Sequence, residues 1–276
     1  MKLAACPQRV TRFLCVLLLF LLAPAISSAQ SKPEEVVFPS AGRELRGFLW
    51  KPDGPGPFPA ILWNHGSEKL PGSQPVLAKF YTEHSYVFFI PHRRGQGRSP
   101  GEYIQDLVAQ THPSERAYRM VELQQVELED VVAALNYLKS QHFVDPSRIA
   151  ISGCSYGGIQ TLLAGELDLG VKALVPFAPG AISWDQNLPL RDRLLRAVDL
   201  AKAPILLIQA ENDFNLAPSR ELNKEAEKKK KDLQSRIYPP FGKSHEDGHG
   251  KFCSTATAVW GNDVLAFLAS QMKTGH

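Results

Sequence analysis

Cysteine is scarce in this chain of 276 residues: there are four, and two of them, Cys6 and Cys15, fall in the first thirty positions. The remaining pair, Cys154 and Cys253, is too small a number for a disulfide scaffold. One bridge between them is conceivable in an oxidising compartment, but spacing alone does not bring two residues within bonding reach. No internal repeat divides the chain. An excess of one charge is missing as well. Lys2, Arg9 and Arg12 belong to the first thirty positions, and without them the chain carries 28 basic residues against 28 acidic ones. Neither nucleic acid nor an anionic membrane surface is therefore called for as a partner.

Long apolar runs are also absent, with one exception at residues 13–22. That run is shorter than the ~20 residues a spanning helix needs. It follows the basic positions and precedes Ser27-Ser28-Ala29, small residues of the kind a signal peptidase reads. Residues 1–29 thus read as a cleavable secretory signal cut after Ala29, and the protein as secreted or periplasmic, with no stable membrane association after cleavage. Cys15 lies inside the run and not after it, which argues against a lipid anchor. Residues 30–276 are then expected to form a single domain, a length that supports one sizeable core.

What is present is a regular alternation. Continuous apolar stretches at 60–63, 86–90, 149–151, 171–177 and 205–210 read as buried strands. Helical spacing marks 75–84, 114–141, 218–231 and 255–272, with Val121, Leu128, Val131, Val132, Leu135 and Leu138 as the stripe of the longest helix. Two opening strands, 36–38 and 45–50, flank a turn at 40–43, and 236–238 is a last short strand. Residues 179–203 form a less regular insertion with helical character. The pattern predicts an α/β fold: a mostly parallel twisted sheet, helices on both faces, and reactive groups in loops beyond the carboxyl ends of the strands.

The stretch that carries chemistry is Arg148-Ile-Ala-Ile-Ser-Gly-Cys-Ser-Tyr-Gly-Gly-Ile159. Gly153, Ser155 and Gly157 match the G-x-S-x-G pattern of a nucleophile elbow. A sharp strand-to-helix turn strains the serine backbone and crowds the positions two residues either side, which only glycine fits. The following helix turns its N-terminal N–H groups toward the place where negative charge develops. A serine needs a base, and the base an orienting acid; on such a sheet they follow the serine in the chain, acid first. His245, His249 and His276 are the histidines left. His249, between Gly248 and Gly250, is preferred; His276 ends the chain and is expected to fray. The acid is expected at Asp213, just past the 205–210 strand, with Glu211 and Asp185 as alternatives. The oxyanion hole takes one N–H from the residue after the nucleophile, Tyr156, and one from the loop Asn64-His-Gly-Ser67, where Ser67 is the candidate. His65 precedes the serine and is expected to shape that loop. Trp184, Leu188 and Leu190 either line the pocket or simply pack. The arginines of 92–98 either meet an anionic substrate group or pair with Asp or Glu in the loop.

Taken together, Asn64-His65-Gly66, Arg93-Arg94-Gly95-Gln96-Gly97-Arg98-Ser99, Gly153-Cys-Ser-Tyr-Gly-Gly158, Asp213 and Gly248-His-Gly-Lys-Phe252 resemble the α/β-hydrolase superfamily, over nearly all of 35–272. Within it the chain is similar to the dienelactone hydrolase-like branch and to the catalytic domain of prolyl oligopeptidase-type peptidases. The resemblance implies an α/β-hydrolase fold, Ser155 as nucleophile, Asp213 as acid, His249 as base and Tyr156 with Ser67 as oxyanion donors. It implies no cofactor and no metal, and a small ester or peptide-like substrate. Two departures stand out. Dienelactone hydrolases use a cysteine where this chain has Ser155, and the chain leaves no room for the propeller domain of prolyl oligopeptidases.

Two rival readings remain at this level. His245-Glu-Asp-Gly-His249 matches H-E-x-x-H, a zinc pattern that needs both histidines on one helix face. Gly242, Gly248, Gly250 and Pro239-Pro240 argue against a helix there. The other rival is a binding protein that keeps the fold without the chemistry.

Overall fold

The structure is a computed structural model that describes residues 1–2 and 32–273. By contacts the chain divides into residues 1–30 and a unit of residues 31–276. The expected signal segment falls almost wholly outside the described residues, as does His276.

Eight strands form one sheet in the order β1-β2-β4-β3-β5-β6-β7-β8. The opening strands β1 (Glu34–Ser40) and β2 (Arg43–Trp50) make an antiparallel hairpin, and β2 pairs antiparallel with β4 (Val87–Pro91). From β4 onward every pairing is parallel, through β3 (Phe58–Asn64), β5 (Val144–Cys154), β6 (Ala173–Phe177), β7 (Ile205–Ala210) and β8 (Leu233–Tyr238). The mostly parallel sheet read from the sequence is what the structure has.

Strand alternation explains why both faces need helices. Ile149 and Ile151 of β5 and Leu62 of β3 bury against one face. Ala150, Ile61 and Trp63 bury against the other. The first face is covered by α3 (Arg116–Lys139), α4 (Tyr156–Gly165), α5 (Leu188–Leu200) and α6 (Ala217–Lys229), through Leu128, Leu162, Leu194 and Leu222. The second is covered by α1 (Pro75–Glu83) and α8 (Thr257–Gln271), through Leu77, Tyr81, Trp260 and Leu268. None of these helices is long and apolar enough to cross a membrane.

Three features depart from expectation. A short helix, α2 (Ile104–Ala109), and a 3-10 turn (Pro113–Glu115) precede α3, where the sequence pattern suggests only loop. Residues 245–255 are helical, through a π-helical turn (Asp247–Lys251) that runs into α7 (Phe252–Thr255), despite the glycines. Tertiary bonds override propensity here. Asp247 accepts the N–H groups of Lys243 and Ser244, and Asn212 Nδ2 donates to the carbonyls of Phe241 and Ser244. Third, Cys154 at the end of β5 is bonded to Cys253 in α7, with Cα atoms 5.9 Å apart. The fold brings together two residues 99 positions apart in sequence.

Candidate active site

Ser155 is the hinge between β5 and α4. Its backbone sits at φ 56°, ψ −115°, a conformation that costs a non-glycine residue of order 1–3 kcal/mol unless the surroundings enforce it. They do. The Ser155 N–H donates to the Phe177 carbonyl, and α4 behind it is buried throughout. The glycines are required by contact. A Cβ on Gly157 would lie 1.9 Å from the Asn64 carbonyl oxygen, and one on Gly153 would lie 2.5 Å from that of Gly157. The elbow and the Asn64–Ser67 loop are thus pressed backbone to backbone.

Asp213 and His249 come together. His249 Nδ1 donates to Asp213 Oδ1 at 2.8 Å, across 36 residues, with both side chains buried. Asp213 Oδ1 also accepts the Phe214 N–H at 2.6 Å, and Oδ2 accepts Gln209 Nε2 at 2.9 Å. Gln209 is fixed in turn by the Ser219 hydroxyl, which donates to its Oε1 at 2.6 Å. The imidazole is therefore held in the tautomer with the proton on Nδ1, assigned from the bonds it makes. His249 Nε2 is buried and hydrogen-bonds to no described residue. The Phe214 ring stands edge-on to the imidazole at 5.5 Å.

The alternatives go elsewhere. Asp185 accepts from Asn215, and His245 Nδ1 donates to the Asn212 carbonyl at 2.9 Å. Glu211 is exposed. The two histidines of the H-E-x-x-H match are thus committed to different oxygens, and no group of three potential metal ligands gathers among the described residues.

Ser155, Tyr156 and Ser67 line one cavity of about 410 Å³. Its walls include Val108 and Met120 from α2 and α3, and Ile182 and Gln186 from the insertion. Trp184 and Leu190 are buried in the core, so for them packing is the answer; Leu188 is exposed. The wall from 105–124 was not expected. Tyr103, Ile104, Leu107 and Val108, an apolar cluster in what reads as loop, was the available signal.

The 92–98 arginines do not face an open site. Arg93 is buried with Nε 3.2 Å from Glu127 Oε2; Arg94 binds Asp130 at 2.7 Å, and Arg98 binds Glu35. Their partners Glu127, Asp130 and Glu35 lie on α3 and β1, not in the arginine loop, and all three are hidden in sequence by distance. Glu127 is buried beside Arg93, and burial pushes its carboxyl above the usual range. His65 is buried too, and desolvation, then the charge of Arg93, holds it well below its usual value and hence neutral. It shapes the loop as expected, with Nδ1 2.9 Å from the Gly66 carbonyl.

A model of the prolyl oligopeptidase family matches residues 76–168, from α1 past the elbow. An acylaminoacyl peptidase of Pyrococcus horikoshii superposes with a TM-score of 0.69 at 19% identity, over 89% of this chain and 42% of that one. A putative dienelactone hydrolase from Klebsiella pneumoniae superposes at 0.62 with 16% identity, over 86% of this chain and 98% of that one. These likenesses show an α/β-hydrolase fold. In sequence, the thiohydrolase apmlB of Arthrinium phaeospermum is 29% identical over 58% of this chain and 46% of its own length. The chain spans less than half the length of the first curated relatives it matches.

Proposed function

We propose that the protein is a serine hydrolase acting on ester-type carbonyls, with Ser155 as nucleophile, His249 as base and Asp213 as the orienting acid. The observation that carries this reading is the 2.8 Å bond from His249 Nδ1 to Asp213 Oδ1, which leaves Nε2 able to accept a proton. As Ser155 Oγ bonds to the substrate carbonyl carbon, its proton passes to His249 Nε2. The carbonyl oxygen becomes an oxyanion held by the N–H groups of Tyr156 and Ser67. The imidazolium then gives the proton to the leaving alcohol as the C–O bond breaks. Water attacks the acyl-enzyme, losing its proton to His249, and the acid departs as Ser155 Oγ recovers that proton. No cofactor enters the scheme.

The half-apolar cavity fits an acyl group of modest size, and Arg116 is the one charged side chain among its lining residues. The similarity to peptidases and to a thiohydrolase makes aminoacyl amides and thioesters the second class to try. We further propose export, with cleavage after Ala29. The Cys154–Cys253 bridge supports an oxidising compartment. N-terminal sequencing of the exported protein should read from Gln30.

The decisive experiment is a panel of p-nitrophenyl esters, lactones, thioesters and aminoacyl amides, with fluorophosphonate labelling. Wild type should label at one serine, and Ser155→Ala should lose labelling and several thousand-fold or more of turnover. A folded wild type that neither labels nor turns over any of these points instead to a binding protein.

A further inference from the structure

Behind the proposed oxyanion donors lies a buried charge cluster that the mechanism does not use. Arg93 is 1% exposed. Its Nη2 donates to the Gly66 carbonyl at 2.6 Å, and Nη1 donates to the His65 carbonyl at 3.0 Å. His65 Nδ1 lies 2.9 Å from the same Gly66 carbonyl and 3.1 Å from Arg93 Nη2, and the Arg93 N–H lies 3.4 Å from His65 Nε2. That oxygen therefore accepts a short, charge-assisted hydrogen bond from Arg93.

The Gly66 carbonyl and the Ser67 N–H belong to one planar trans peptide, so they point in opposite directions. Fixing the oxygen on Arg93 fixes the N–H away from it, and Ser67 lines the cavity that holds Ser155. Donation into the oxygen also polarises the N–H, as in any hydrogen-bonded chain. The same guanidinium lies 4.7 Å from the centre of the Tyr156 ring, and the Tyr156 hydroxyl donates to Glu127 Oε2 at 2.7 Å. One arginine thus holds the carbonyl of the Gly66–Ser67 peptide and faces the Tyr156 ring, at both proposed oxyanion donors. Among the described residues neither N–H is paired with a protein acceptor.

Burying an ion pair seldom gains stability over an apolar pair of the same size. We propose that Arg93, with Glu127 as counter-ion, is a positioning residue: it sets and polarises the Gly66–Ser67 peptide as an oxyanion donor and seats Tyr156 at the elbow. This rests on the reading of Ser155 as nucleophile.

Arg93→Lys keeps the charge but loses the fork that reaches two carbonyls and Glu127 at once. Competent sites are counted by end-point fluorophosphonate titration, so misfolded protein does not enter the rate. Per titrated site, kcat should fall about 10- to 100-fold with KM changed less than threefold, somewhat less than deletion of a whole donor. Inhibition by a boronic acid, which forms a tetrahedral adduct on Ser155, should weaken by the same factor. A kcat per site within threefold of wild type overturns the proposal, as does a loss carried by KM alone. Should Arg93→Lys not fold, Arg93→Gln, which keeps a neutral N–H for the Gly66 carbonyl, reads the same quantities. If wild type fails to label, or Ser155→Ala stays active, the nucleophile reading itself falls. A labelled, active wild type with an unaffected Arg93 variant sinks this inference only.

Discussion

Gln209 occupies a place where the strand pattern has no use for a polar side chain. Every residue of β7 is buried, and five of its six are apolar. Its amide divides between Asp213 Oδ2 and the Asn215 carbonyl, while its oxygen takes the Ser219 hydroxyl. A lone glutamine in an apolar strand two to four residues before a candidate acid is a legible signal of support for that acid. In the structure its amide bonds Asp213 and not Glu211, which is exposed. Asp213 and His249 themselves were readable, because chain order on this kind of sheet is set by topology. Arg93 and Glu127 were not, since their pairing runs across 34 residues and depends on how α3 lies over the sheet. Two predictions belong at this scale. Asp213→Asn should leave the fold intact and cut kcat by about 10⁴, because an amide that donates to Nδ1 selects the wrong tautomer. Gln209→Leu leaves the Ser219 hydroxyl and Asp213 Oδ2 short of a partner, a loss of about 1–3 kcal/mol in stability, checked by denaturant unfolding. An Asp213→Asn enzyme within tenfold of wild type would remove that residue from the proposed triad.

At the level of elements, the elbow was legible because its constraints are local. Strand, turn and helix follow one another in twelve residues, and the glycines stand where backbone approaches backbone. Gly157→Ala should therefore lose far more activity than stability. Its methyl meets the Asn64 and His65 carbonyls at 1.9 and 2.7 Å, and the segment that must yield leads into Ser67. Esterase assay beside thermal melting reads the two losses separately. The 245–255 helix was not legible, because part of its support comes from Asn212, outside the segment. The bridge was illegible for a similar reason: only the sheet order places the end of β5 beside α7. Its effect on stability can still be stated. Closing a loop of about a hundred residues is worth about 4–5 kcal/mol on the chain-entropy view. Cys154→Ser/Cys253→Ser should then melt on the order of 10 °C lower than the oxidised protein. A difference under two degrees would mean that the bridge constrains little that packing does not already hold.

Across the whole molecule, β3, β4, α3 and α4 meet at one buried polar cluster, and its titration should show in the stability of the entire domain. His65 and His92 both lie below their usual value near 6.5, each mainly through burial, with Arg93 adding repulsion. In the unfolded chain they take up protons as pH falls past 6.5; in the folded protein they resist. The stability they contribute is complete above that pH and is lost as pH falls toward their folded values, at a limit of about 1.4 kcal/mol per pH unit for each. Glu127 works the other way. Its carboxyl is raised by burial above the usual 4.5, so the folded state binds its proton more readily and its contribution declines as pH rises. Two histidines against one carboxyl leave the net slope positive between about pH 5 and 6.5. Melting temperature should therefore rise with pH over that interval and flatten above pH 7. His92→Gln should make the slope clearly shallower, since it removes one of the two groups that give it its sign. A His92→Gln protein whose melting temperature climbs as steeply as wild type over the same interval would place the titrating groups elsewhere, among the exposed carboxylates, and would mean that the cluster behind Ser67 binds no proton differentially.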